Sequence, residues 1–89
     1  MRDRYLEVTF RKGKPLAAYF YLPRKSGVKS TRTEKFDGGL LVDYDDSGDA
    51  IGIEITAPSL ITAEQISRVL EKLGHAPIGP NEIPPLAAA

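Results

Sequence analysis

The sequence predicts an α+β domain: an antiparallel β-meander of four to five strands, one C-terminal helix packed on the sheet, and a Pro-rich tail. Three observations predict it. Between residues 5 and 57 apolar and polar side chains alternate with the period of two that half-buried strands require. Residues 62–73 switch to helical spacing behind a complete helix-entry signal. A chain of 89 residues is also too short to divide its burial between two cores. Residues 1–89 therefore read as a single domain, with the meander at 5–57, the helix at 62–73 and the tail at 75–89.

Tyr5 to Arg11 reads as a strand because Leu6, Val8 and Phe10 alternate with Glu7 and Thr9. Lys12-Gly13-Lys14-Pro15 then turns the chain. Leu16 to Leu22 places Ala18, Phe20 and Leu22 on one face and Ala17, Tyr19 and Tyr21 on the other, so both faces call for cover. That pattern suits an interior strand whose second face meets a helix or another subunit. Pro23 to Gly27 is a basic loop, and Val28 to Phe36 is a polar strand carrying Thr31 and Thr33. Asp37-Gly38 tolerates the positive φ that a two-residue hairpin turn demands, and such a turn sets Arg32 opposite Asp43.

Leu40 to Asp45 and Ala50 to Ala57 form the clearest hairpin, joined through Asp46-Ser47-Gly48-Asp49. The alternation predicts Tyr44 opposite Ile51, Val42 opposite Ile53 and Leu40 opposite Ile55, with Asp43, Asp45 and Glu54 turned outward into water. Pro58 ends the last strand. Thr62 and Gln65 are spaced as a capping box, and Ile61 with Ile66 as a hydrophobic staple. Ile66, Val69, Leu70 and Leu73 then make one apolar stripe, closed by Gly74 at the position of a left-handed C-cap. His75 to Ala89 holds four of the seven prolines, which excludes it from a helix or a sheet interior. It reads as a tail, or as an arm in which Ile78, Ile83 and Leu86 dock on a neighbour.

The composition, 42% hydrophobic and 27% charged, is that of a folding globular chain. With no cysteine there is no disulfide framework, thiol nucleophile or thiolate metal site. No apolar run approaches the ~18 to 20 residues that cross a bilayer, and the charged start lacks a signal-peptide apolar region, so a cytoplasmic protein is expected and no membrane contact. Ten of the twelve Lys and Arg residues fall within residues 1–35, whereas nine of the twelve acids fall within 36–89. A basic half can mark nucleic-acid binding through Arg11, Lys12, Lys14, Arg24, Lys25 and Lys29. Adjacent strands drawn from both halves would mix the signs, which favours a solvated surface instead.

Asp43, Asp45, Ser47, Gly48, Asp49 and Glu54 match the spelling of a calcium loop. Both flanks alternate as strands and not as the helices such a loop needs, so solvated turn formers are the expected role, with a loose cation site at Asp43, Asp45 and Glu54 as the alternative. The single histidine, His75, follows a helix C-terminus, where the dipole favours a cation. It has no second histidine or cysteine with which to build a zinc site or an assisted nucleophile. Asp43 and Glu54 form the one carboxylate pair placed on a common face, and acid-base work would require a deep cleft around them. No catalytic constellation and no cofactor are therefore expected. Tyr19 and Tyr21, with Ile78, Ile83 and Leu86, are the predicted interaction residues of a non-catalytic protein-binding module that self-associates, as a dimer, or holds a small protein partner.

Arg32-Thr33-Glu34, Gly39-Leu40-Leu41-Val42-Asp43-Tyr44-Asp45, Gly48 and Gly52-Ile53-Glu54-Ile55 together resemble the prokaryotic domain of unknown function 2283 family. The similarity runs from about Tyr5 to Ala57 and is most specific in the hairpin from Gly39 to Ile55. It implies small cytoplasmic proteins with an antiparallel sheet and no established activity. It also implies pairing with a second small protein, as in toxin and antitoxin systems, and makes the acidic spelling around Gly48 a hairpin signature of the family.

Overall fold

The computed structural model describes residues 4–23 and 27–79. Its first two alternating segments, β1 (Tyr5–Arg11) and β2 (Lys14–Tyr21), form a hairpin closed by Lys12 and Gly13 at φ 53° and 77°. Thr9 lies opposite Ala17 but Phe10 opposite Pro15, so Leu16 is an extra residue and stands 55% exposed. Pro15 is tolerated because β2 gains its second neighbour only from Ala18 onward. Strands β3 (Arg32–Phe36), β4 (Leu40–Tyr44) and β5 (Ala50–Ile55) meander in chain order. The five strands make one antiparallel sheet in the order β1-β2-β5-β4-β3, with the β2 to β3 connection crossing to the far edge. Acidic β4 and β5 thus lie between strands of the basic half, and the signs mix as expected.

Two registers differ from the sequence expectation. The turn after β3 takes three residues, Asp37–Gly39, with Gly38 and Gly39 both at φ 77°. That extra residue moves the pairing by one, so Thr33 and not Arg32 faces Asp43, while Arg32 faces Tyr44 and lies 4.1 Å above its ring. Between β4 and β5, Val42 opposes Ile53 and Leu40 opposes Ile55 as expected. Beyond Asp43 a bulge intervenes, so Tyr44 pairs with Ala50 and not with Ile51. Alternation carries no mark of such an insertion, because Tyr44 meets an apolar residue whether Ala50 or Ile51 lies opposite it.

Helix α1 (Ala63–Lys72) covers one face of the sheet. Thr62 accepts from the Gln65 backbone at 3.2 Å, and its own N–H donates to Gln65 Oε1 at 2.9 Å, completing the capping box. Thr62→Ala is expected to lower the unfolding free energy by about 1 kcal/mol in urea denaturation, since it strands helix N–H groups. At the other end Gly74 N–H reaches Glu71 and His75 N–H reaches Leu70, the paired closure that a glycine at φ 81° allows. Phe20, Leu40, Val42, Ile53 and Ile55 from the sheet enclose Ile66, Val69 and Leu70 from the helix in one core. Burying side chains such as Ile66 and Leu70 contributes roughly 1.5 to 3 kcal/mol each.

The start of the predicted tail folds back. Ile78 is partly buried against the protein's own core and donates its N–H to Ser67 Oγ at 3.1 Å. Arg4 grips this segment from the other end of the chain, donating to the carbonyls of Ala76 and Pro77 at 2.6 Å each. Ile83 and Leu86 lie outside the described residues, as do Arg24 and Lys25. Among the described residues no helix is long and apolar enough to cross a membrane.

Candidate interaction face

Alternation sends Tyr5, Glu7 and Thr9 of β1, Ala17, Tyr19 and Tyr21 of β2, Gly52 and Glu54 of β5, Leu41 and Asp43 of β4, and Thr33 and Lys35 of β3 to the face opposite the helix. Both predicted interaction tyrosines lie here and touch each other edge to face at 4.7 Å. Tyr5, which is not among the predicted interaction residues, stacks on Tyr21 at 4.5 Å and extends the row to three rings.

Tyr19 is held in place by an unusual arrangement at the centre of the sheet. Its ring lies flat across Gly52: a β-carbon there would sit 2.0 Å from the Tyr19 hydroxyl oxygen. Only glycine leaves that path clear, and along it the hydroxyl donates to Asp43 Oδ2 at 2.9 Å. The Thr33 hydroxyl donates to the other oxygen, Oδ1, at 2.6 Å. Asp43 is only 7% exposed, which corrects the expectation that it projects into water. The register shift at the β3 turn is what delivers Thr33 to it.

Glu54 shares this neighbourhood and is half-buried. Burial raises its pKa above the ordinary 4.5, and the charge of Asp43 and a hydrogen bond to it raise it further. A carboxyl whose folded pKa lies above its unfolded value contributes stability below 4.5 that is lost as pH rises through the folded value. At neutral pH that contribution is absent. Glu54→Gln is therefore expected to melt above the parent at neutral pH, with the gap closing as the pH is brought down toward 4.5. Melting curves across that range check it, and a constant gap would show that Glu54 titrates normally.

The calcium-like spelling folds as a hairpin between β4 and β5. Asp45 Oδ1 accepts from the backbone N–H groups of Ser47 and Asp49 at 2.9 Å each, the local turn-forming role. Asp43 and Glu54 lie together on the open face, while Asp45 serves the loop. Among the described residues no group of three or more His, Cys, Asp or Glu side chains is placed to hold a metal ion. Arg11, Lys12, Lys14 and Lys29 are exposed, and the first three cluster around the β1–β2 turn, at the end of the hairpin away from the Tyr5 and Tyr21 pair. A shallow depression of about 200 Å³ beside the row is lined by Glu7, Thr9, Ala17, Tyr19, Glu54 and Thr56.

Tyr19 and Asp43 are 24 positions apart, so local pattern could not join them. The available signal was Gly52, a glycine inside a strand, which marks the close approach of another group.

Residues 17–58 match the model of a family described as a protein of unknown function, DUF2283, and over that stretch the chain is similar to it. The match runs from within β2 through β5, and includes Tyr19, Thr33, Asp43, Gly52 and Glu54; β1 and the helix lie outside it. No curated protein and no solved structure matches the chain.

Proposed function

We propose that this protein is a non-catalytic protein-binding module of the cytoplasm whose contact surface is the helix-free face of the sheet. The observation that carries this reading is the row of Tyr5, Tyr21 and Tyr19, mutually packed and anchored through a buried carboxylate on a face that no second layer covers among the described residues. Tyrosines fixed in this way offer large amphipathic contact area at little cost in conformational entropy, which is why they concentrate at binding hot spots. The same face carries Glu7, Asp43 and Glu54 nearest the tyrosines, with Lys35 on β3 and Arg11 at the far end of β1, an acidic balance around the row that disfavours nucleic acid as the partner. Among the described residues the carboxylate pair lies on an open sheet, with a shallow depression in place of the deep cleft that acid-base chemistry requires.

The test compares tagged protein with its Tyr5→Ser/Tyr21→Ser variant, each recovered from the source cells. A defined protein retained by the parent and lost from the variant supports the reading. Identical recovery with both, or salt-dependent retention on RNA or DNA that ignores the substitutions, would overturn it.

A further inference from the structure

We propose that β1 is a pairing edge, and that it joins the β1 of a second copy in antiparallel fashion about a two-fold axis at Val8, fusing two sheets into one. This goes beyond the reading of the tyrosine face and does not depend on it.

Among the described residues the sheet ends in two edges with no further strand paired to them, β1 and β3. An uncovered edge exposes a row of backbone N–H and C=O groups, and proteins blunt such edges with short strands, charge, proline or bulges. β3 is blunted: it is five residues long, Arg-Thr-Glu-Lys-Phe, and nearly all of it is exposed and charged or polar. β1 is less protected, with Glu7 and Arg11 as its only charges. It runs for seven residues without proline or lysine, and the bulge in its hairpin belongs to β2. It also leaves two large apolar side chains without cover, Tyr5 at 42% and Phe10 at 45% exposure.

The sequence of β1 is complementary to itself in one register above others. Directly opposed residues of an antiparallel pair share a face, so helix-side residues must meet helix-side residues and the axis must fall on a residue. An axis at Glu7 sets that carboxylate against its own copy, a repulsive pair. An axis at Thr9 leaves Tyr5 and Leu6 unpaired. At Val8 all seven residues pair: Phe10 meets Leu6 of the second copy, Val8 meets Val8, Glu7 meets Thr9, and the Arg11 guanidinium meets the Tyr5 ring. The exposed Phe10 thereby gains an apolar neighbour, and Tyr5 a cation. Both helices fall on one side of the fused sheet, and both tyrosine rows on the other.

The chain has no cysteine, so single-cysteine variants report contacts cleanly. An equimolar mixture of Glu7→Cys and Thr9→Cys proteins is expected to give a mixed disulfide dimer on mild oxidation, in yield well above Glu7→Cys alone. In light scattering the parent is expected to be a dimer, and Phe10→Lys to raise its dissociation constant by roughly tenfold or more. The proposal is overturned if the parent stays monomeric at high concentration. It is equally overturned if a dimer forms but cross-links through Tyr21→Cys and not through the Glu7→Cys and Thr9→Cys mixture, which would mean that copies meet by their open faces.

Discussion

Gly52→Ala is expected to cost about 3 kcal/mol of unfolding free energy, far more than a single methyl group ordinarily does in a strand. A β-carbon at Gly52 would stand 2.0 Å from the Tyr19 hydroxyl oxygen and 2.3 to 2.4 Å from the ring carbons, so the ring has to leave. Overpacking of this kind costs about 1 to 3 kcal/mol. Displacing Tyr19 also removes one of the two donors to Asp43, a carboxylate only 7% exposed, and an unsatisfied buried acceptor costs about 1 to 3 kcal/mol more. Against these stands the gain of about 0.5 to 1 kcal/mol from reduced backbone freedom. Urea denaturation measures the sum. In a Tyr19→Ala background those three contacts are gone, and Gly52→Ala should there cost far less; that non-additivity separates ring displacement from a backbone effect. Equal costs in both backgrounds would rule the arrangement out.

Phe20→Ala is expected to cost about 4 kcal/mol, enough to bring a domain of ordinary stability close to its unfolding threshold. Phe20 is fully buried, and it lies opposite Leu6 on β1 and Ile53 on β5, under the helix. No neighbour on either strand is free to fill the space, so the substitution leaves a cavity at the seam of the two hairpins. Thermal and urea unfolding should both register it. Leu16→Ala, four positions earlier in the same strand but 55% exposed, should stay within about 0.5 kcal/mol of the parent.

The features legible in the sequence were those written in neighbouring residues. β1 runs from Tyr5 to Arg11 as its alternation predicts, and Thr62 with Gln65 form the box that their spacing announces. The β4–β5 pairing is right wherever the ladder is regular. Illegible features each depend on one uncounted residue or on a distant partner. A third turn residue at Gly39 exchanged Arg32 for Thr33 opposite Asp43, and a bulge after Asp43 separated Tyr44 from Ile51. The acid expected in solvent was thus buried. In the candidate site, Tyr19 was singled out as an interaction residue and Asp43 with Glu54 as a carboxylate pair, but nothing joined the tyrosine to the acids. What unites them is the placement of β2 beside β5, which no period of two or 3.6 encodes.

That placement also orders events in time. Hairpin β1–β2 and the meander β3–β4–β5 each close through short turns, whereas Tyr21 meets Gly52 only after about thirty intervening positions are brought round. Folding should therefore be limited by docking of two preformed halves, at the slower rates typical of sheets with distant partners. Substitutions at Ile53, on that seam, should slow refolding, whereas Thr62→Ala should chiefly hasten unfolding, a contrast that stopped-flow chevrons would resolve.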